Sequence, residues 1–330
     1  MTINIGVIGY GYWGPNLVRN FHETSGTAVT MVADQNEDSL QRAKNRYPAL
    51  GITSDPQQLI ASPDVDAVAI ATPVSTHYSL ALAALKAGKH VFVEKPMAAT
   101  TAQAEELIEE AAKRNLTLMV DHTFVYTGAV RKIHEIVQAG ALGQVYYYDS
   151  TRVNLGLFQH DVNVLWDLAV HDLSIIEFVF NRAPQAVSAT GMSHVPGAPE
   201  NVAFLTVYYA DNLLAHINVN WLAPVKIRRT LIGGSKQMIV YDALEPIETV
   251  KVYDKGIEVK STQELYSTMI GYRTGDMYSL KIDTTEALQL EASHFIRCIE
   301  QGFTPETDGA AGLRVVKILE AATKSMQKRG

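Results

Sequence analysis

Apolar runs and helical periodicities alternate along the first third of the chain. Residues 3–8 form an apolar run, 16–21 carry a helical pattern and 28–33 read as a second strand. Helical pattern at 38–46, strand at 67–71, helix at 77–87, strand at 90–93 and helix at 101–113 follow, before a last apolar strand at 117–120. Such alternation predicts a doubly wound parallel sheet covered on both faces by the crossover helices. The expected first domain is residues 1–122.

Beyond residue 122 the pattern changes. A helix is expected over 125–140, a long strand over 144–155 and helical periodicity over 165–180. Strands then repeat at 187–192, 202–209, 213–221, 227–232, 238–241 and 248–253, with turn signals at Gly233-Gly234 and Asp254-Lys255-Gly256. Strand after strand without intervening helices predicts an antiparallel meander, hence a large, mainly antiparallel open sheet. Helices over 287–300 and 311–328 close the expected second domain, residues 123–330. An open sheet with helices on one face leaves the other in need of cover, and homo-oligomerisation, as homodimer or homotetramer, is the simplest solution.

Composition adds bounds rather than a fold. The 330 residues are 47% hydrophobic and 19% charged, as in an ordinary globular protein. No apolar stretch reaches the roughly 18 residues of a membrane span, and the first residues run straight into a core strand instead of a signal-like segment. A cytoplasmic protein without a membrane partner is expected. A net charge of −7 disfavours a general grip on nucleic acid. The single cysteine, Cys298, has no disulfide partner and reads as a buried small apolar residue.

The candidate chemistry begins where the first strand ends. Gly9-Tyr10-Gly11-Tyr12-Trp13-Gly14 is a G-x-G-x-x-G loop opening into a helix, the form that a dinucleotide pyrophosphate needs. Asp34, at the tip of the second strand, is placed to accept from ribose hydroxyls and to repel a 2′-phosphate. Neither Gln35 nor Asn36 supplies a compensating cation, so NAD is expected rather than NADP. Parallel sheets bind ligands beyond the carboxyl ends of their strands, which draws attention to Thr72-Pro73, Glu94-Lys95-Pro96 and Asp121-His122. Further on, Asp167 and His171 stand at i, i+4, one helical turn apart on one face. His122, His160, Asp161, His171 and Asp172 lack the spacing of a structural zinc site, and no metal is expected.

On Val7-Ile8-Gly9-Tyr10-Gly11, Ala71-Thr72-Pro73 with His77, Val93-Glu94-Lys95-Pro96 and Trp166-Asp167-Leu168-Ala169-Val170-His171-Asp172, the chain resembles the Gfo/Idh/MocA oxidoreductases. The resemblance implies an N-terminal Rossmann domain and a C-terminal α/β domain. It implies NAD contacts from Gly9, Gly11, Tyr12, Trp13, Gly14, Asp34, Thr72, Pro73, His77, Glu94, Lys95 and Pro96, with the Lys95–Pro96 bond commonly cis. Lys95, Asp167 and His171 are implied as the catalytic group of a sugar dehydrogenase. His171 is the proposed proton acceptor, Lys95 polarises the hydroxyl and rivals it as base, and Asp167 orients substrate. The chain departs from the family pattern at Ala169, where glycine is frequent, and at Val162-Asn163-Val164, in place of a frequent Gly-Gly pair.

Asn154-Leu155-Gly156, residues 161–167 and residues 221–228 are similar to the branch that includes UDP-N-acetylglucosamine 3-dehydrogenases. That similarity implies oxidation at C3 of a UDP-linked N-acetylhexosamine. Lys95, His122, Arg152, Asn154, Asp167, His171, Arg228 and Arg229 are the expected substrate contacts, with Lys226 and Arg273 as further candidate cations for a diphosphate. A dehydrogenase of a free sugar or cyclitol, and an NAD-binding sensor without turnover, are the alternatives.

Overall fold

The computed structural model describes residues 2–156, 159, 161–259 and 270–328. The chain forms two compact units, Met1–Tyr126 with Thr285–Glu320, and Thr127–Thr284 with Ala321–Gly330. The expected division at residue 122 therefore needs correcting: a late segment, Thr285–Glu320, returns to the first unit.

The first unit runs β1 (Ile3–Ile8), α1 (Gly14–Glu23), β2 (Thr27–Ala33), α2 (Glu37–Arg46), β3 (Gly51–Thr53), α3 (Pro56–Ala61), β4 (Ala67–Ile70), α4 (Val74–Lys86), β5 (His90–Glu94), α5 (Thr101–Lys113) and β6 (Leu118–Asp121). All neighbouring strands pair in parallel, in the order β3-β2-β1-β4-β5-β6. The order reverses at β1, so the carboxyl ends of β1 and β4 flank a topological switch point, the ligand-binding place of such sheets. β3 and α3 were not expected, because a three-residue strand and a six-residue helix are too short for their periodicity to register.

An aromatic cluster explains why the late segment belongs here. Phe295, from α8 (Ala287–Gln301 in the chain's later numbering), meets Phe92 and Phe21 edge-on at centroid distances of 5.5 and 6.2 Å. Thr307 accepts from the Val120 amide at 2.8 Å, extending the sheet beyond β6. The 3₁₀ turn Thr123–Tyr126 joins this packing, since the Tyr126 ring lies against His294.

The second unit holds α6 (Gly128–Gln138), β7 (Val145–Leu155), the π turn Leu165–Ala169, α7 (Val170–Phe180), β8 (Pro184–Met192), β9 (Val202–Tyr209), β10 (Leu214–Asn220), β11 (Leu222–Gly234), β12 (Met238–Asp242), β13 (Val250–Val259) and β14 (Ile270–Ser279). The last helix, α9 (Gly309–Gln327), starts in the first unit and ends in the second. The eight strands follow the order β14-β13-β12-β11-β7-β10-β9-β8. This is mainly antiparallel, as expected, but it is not a plain meander. β7 lies between β10 and β11 and pairs in parallel with β10. Only Trp221 separates β10 from β11 in sequence, so the chain arches over the end of β7 at that fully buried side chain.

Strand alternation gives the sheet two different faces. Tyr148, Ser150, Leu205, Val207, Ile217, Val219 and Ile232 are buried on one, while Phe204, Tyr208 and Leu214 stand exposed on the other. Among the described residues, no helix is long and apolar enough to cross a membrane.

Candidate active site

The glycine loop has the shape of an anion cradle. Gly9 takes φ +96°, and a Cβ there would meet the Ala71 carbonyl at 2.4 Å; a Cβ on Gly14 would meet the Gly9 carbonyl at 2.0 Å. Only glycine fits either position. A Cβ on Gly11 would meet nothing within 4 Å, so glycine there leaves backbone bare towards open space. The helix that follows has no side-chain cap and no acidic residue in its first turn. No side chain offsets the positive end of its dipole, which favours an outside anion there. These features fit a dinucleotide pyrophosphate. Tyr12 is exposed at the loop tip, whereas the Trp13 indole is a strut: its Nε1 donates to Asp121 Oδ2 at 3.0 Å.

Asp34 serves the loop as well as the expected ribose. Its Oδ2 accepts from the Tyr10 amide at 2.6 Å and its Oδ1 from the Asn36 amide at 2.7 Å. A carboxylate oxygen has room for a second donor, so hydroxyls can share it. A cation that no sequence motif marked stands by the loop: Arg42, on α2, reaches the Ser39 hydroxyl at 2.9 Å and the Tyr10 carbonyl at 3.4 Å.

At the ends of β4 and β5, buried His77 joins two turns. Its Nδ1 faces the Pro96 carbonyl at 2.9 Å and its Nε2 the Thr72 carbonyl at 2.7 Å. Both ring nitrogens thus lie within hydrogen-bond distance of a backbone carbonyl. The Thr72-Pro73 turn and the Glu94-Lys95-Pro96 turn are thereby held together. The Lys95–Pro96 bond is cis. The Lys95 amide donates to Glu94 Oε2 at 3.2 Å.

Asp121 and His122 follow β6. Asp121 is buried and gathers donors, with Thr123 donating to Oδ1 through its amide at 3.2 Å and its hydroxyl at 2.5 Å. His122 is buried, and neither ring nitrogen meets a hydrogen-bond partner among the described residues. Burial, partly opposed by Asp121 and reinforced by Lys95, pushes its pKa down to about 4, so the ring is neutral at neutral pH.

In the second unit, Asp167 and His171 stand out by exposure. Every other side chain from 163 to 176 is buried, and these two alone are partly open. The expected continuous helix is interrupted: over Leu165–Ala169 the backbone makes a π turn, with the Val170 amide reaching the Leu165 carbonyl. Asn163 starts it by accepting from the Leu165 and Trp166 amides at 3.1 and 3.4 Å. Single π turns frequently mark functional sites. The Trp221 indole, at the arch over β7, donates to Asp167 Oδ2 at 3.0 Å.

The expected substrate cations fare unequally. Arg152 is buried and donates from Nε to Asp172 Oδ2 at 2.7 Å, while the Tyr148 hydroxyl donates to Asp172 Oδ1 at 3.1 Å. Arg152 thus anchors α7 at the residue that follows His171. Asn154 shares its face of β7, two residues on. Arg228 pairs in register with Arg152, but Arg229 projects to the opposite, exposed face, so the two arginines do not form one cluster. Lys226 is exposed where the β7–β11 register shifts. Arg273 is engaged by the Asp254 carboxylate and the Lys236 carbonyl and holds the β13–β14 hairpin.

Among the described residues, no group of three His, Cys, Asp or Glu has the geometry to hold a metal ion; His160 lies outside the described residues. Cys298 is buried, and burial pushes its thiol up to about 11.

Comparison with known proteins agrees with this geometry. Residues 3–122 match the model of an oxidoreductase family with an NAD-binding Rossmann fold, and residues 130–240 match the GFO/IDH/MocA C-terminal domain. Myo-inositol 2-dehydrogenase of Thermotoga maritima is 25% identical over 99% of this chain and 97% of its own. UDP-N-acetylglucosamine 3-dehydrogenase of Acidithiobacillus ferrooxidans is 27% identical over 94% of this chain and 93% of its own. A solved structure of the UDP-N-acetylglucosamine 3-dehydrogenase from that organism superposes with a TM-score of 0.81 at 24% identity, covering 99% of this chain and 100% of its own, which shows the shared fold.

Proposed function

This chain belongs to the Gfo/Idh/MocA oxidoreductases, and on that premise we propose that it oxidises a secondary hydroxyl at C3 of a UDP-linked N-acetylhexosamine to a ketone. The coarser class, an NAD-dependent sugar or cyclitol oxidoreductase, follows from membership. Bound NAD supplies the hydride acceptor. The observation that carries the catalytic assignment is the exposure of Asp167 and His171 alone within a buried run. Side chains kept open amid packed ones serve contact with something outside the core.

In this reading Lys95 polarises the substrate hydroxyl and stabilises the developing alkoxide, and His171 takes the hydroxyl proton. Asp167, fixed by the Trp221 indole, orients the sugar. Lys95 as the base remains the rival assignment. The neutral His122 ring, Asn154 and Arg228 complete the proposed substrate contacts. The nucleotide-sugar reading rests on the A. ferrooxidans relative, and the cyclitol alternative on the T. maritima one. The apolar residues exposed on the outer sheet face, Phe204, Tyr208 and Leu214, support a homo-oligomer. The reading keeps the cytoplasmic location expected above.

NADH formation with UDP-N-acetylglucosamine, UDP-glucose, free glucose and myo-inositol tests the proposal. Turnover confined to UDP-N-acetylglucosamine is expected. Turnover with free polyols alone would favour the cyclitol reading, and NADH binding without transfer to any of the four would point to a sensor.

A further inference from the structure

A third acidic side chain reaches the cofactor-binding unit from far along the chain. Glu291 lies on α8, and its side chain is fully buried. Glu94 and Asp121 pair in register at the ends of β5 and β6, and α8 packs against the 3₁₀ turn that follows them, so that Glu291 feels both carboxylates and the His122 backbone amide. Among the described residues, neither Glu291 oxygen, nor Oε1 of Glu94, meets a hydrogen-bond donor of good geometry. The donors converge instead on Asp121, which accepts from the Trp13 indole and twice from Thr123. Buried carboxylates in contact without donors are unfavourable when all are ionised. A proton on Glu291 converts its repulsive contact with Asp121 into an O–H···O⁻ hydrogen bond.

We propose that Glu291 is a positioning residue of the NAD-binding unit: held as an acid, it donates to Asp121, steadies the Trp13–Asp121–Glu94 frame that carries Lys95, and keeps an additional negative charge out of that frame. Burial first, and then the neighbouring Asp121 charge, hold both Glu291 and Glu94 well above the usual carboxylate range, in agreement with shared protons. The titratable groups facing Glu291 are Asp121, Glu94 and His122, with Lys95 next to Glu94. On α1, Arg19 is occupied by Glu286, and on α8 itself His294 is turned to the Glu306 amide. The inference rests on the NAD-binding reading of this unit and is independent of the sugar substrate.

Glu291→Gln and Glu291→Leu separate a donor from a packing group. Titration of the full chain with NADH and with NAD, alongside its melting temperature, supplies the readout. Gln keeps an N–H for Asp121, and NADH affinity within about twofold of the parent is expected; Leu fills the space without a donor, and affinity is expected to fall about tenfold. In the parent, loss of the cluster proton at alkaline pH adds a negative charge that favours the cationic nicotinamide. The ratio of the NADH to the NAD dissociation constant therefore rises with pH, and this rise is expected to move to higher pH in Glu291→Gln. A Gln variant as weak as Leu, or a pH course unchanged in Gln, would overturn the proposal. If the Leu variant does not fold, the pH course of the Gln variant still decides. NADH binding by the parent chain is the separate control on the NAD reading.

Discussion

The indole N–H of Trp13 donates to the Asp121 carboxylate at 3.0 Å, tying the glycine loop to the end of β6. Residues 108 positions apart thereby share one hydrogen bond, and the loop that cradles phosphate is braced against the strand end beside His122. A hydrogen bond to a charged group contributes about 1.5–3 kcal/mol. Trp13→Phe keeps the ring and removes the donor. It is expected to weaken NADH binding roughly tenfold in a fluorescence titration; unchanged affinity would show that the loop holds its shape without the brace.

Asp34 sets cofactor choice in this account. In the parent chain, NAD is expected to exceed NADP in kcat/KM by roughly a hundredfold, because the carboxylate repels a 2′-phosphate. Asp34→Gly removes that charge while Arg42, already beside Tyr10, remains available to a phosphate. Steady-state kinetics of the variant are expected to show NADP gaining on NAD. A parent enzyme that prefers NADP would contradict the assignment.

The Arg152–Asp172 pair is buried on both sides. Arg152→Met leaves Asp172 charged and without its cation, a change that costs about 3–5 kcal/mol for buried pairs. Urea unfolding is expected to register a loss of that order. Arg152→Met combined with Asp172→Leu should recover most of it, since no buried charge is then left alone, while turnover stays impaired because His171 has lost its anchor.

His122 gives the fold a pH signature. Its pKa is about 4 in the folded chain, against about 6.5 when unfolded. As pH falls below about 6.5 the unfolded state takes up this proton first, so stability is lost progressively until about pH 4, by about 3 kcal/mol in all. His122→Phe keeps a ring in the site and should flatten that part of the curve. Urea midpoints across this range, compared between parent and variant, provide the check.

Local chemistry made much of this legible in the sequence. Gly9, Gly14 and Asp34 are dictated by contacts within a few residues or one neighbouring strand, so their local geometry follows from the loop pattern. Arg228 and Arg229 could have been separated from sequence, because successive strand residues face opposite ways. Glu291 also left a signal: Leu288, Glu291, Ala292, Phe295 and Ile296 form the buried stripe of α8, and a carboxyl within such a stripe is conspicuous. Other features depend on contacts that no local pattern encodes. Arg152 meets Asp172 only through the packing of α7 on β7, β7 enters between β10 and β11 through long-range register, and Phe295 joins Phe21 and Phe92 across most of the chain. The π turn at Leu165–Ala169 follows from Asn163 and the packing of buried neighbours rather than from helical periodicity, which reads the same through it.

Hydride transfer from a defined carbon tests the central claim most directly. UDP-N-acetylglucosamine carrying deuterium at C3 is incubated with NAD and the enzyme, and the nicotinamide product is analysed by mass spectrometry. The account predicts deuterium in the reduced cofactor from the parent chain, and its loss in Lys95→Met and His171→Asn while both variants still bind NADH. Unlabelled reduced cofactor, or labelled product from a Lys95→Met, His171→Asn double variant at the parent rate, would contradict it.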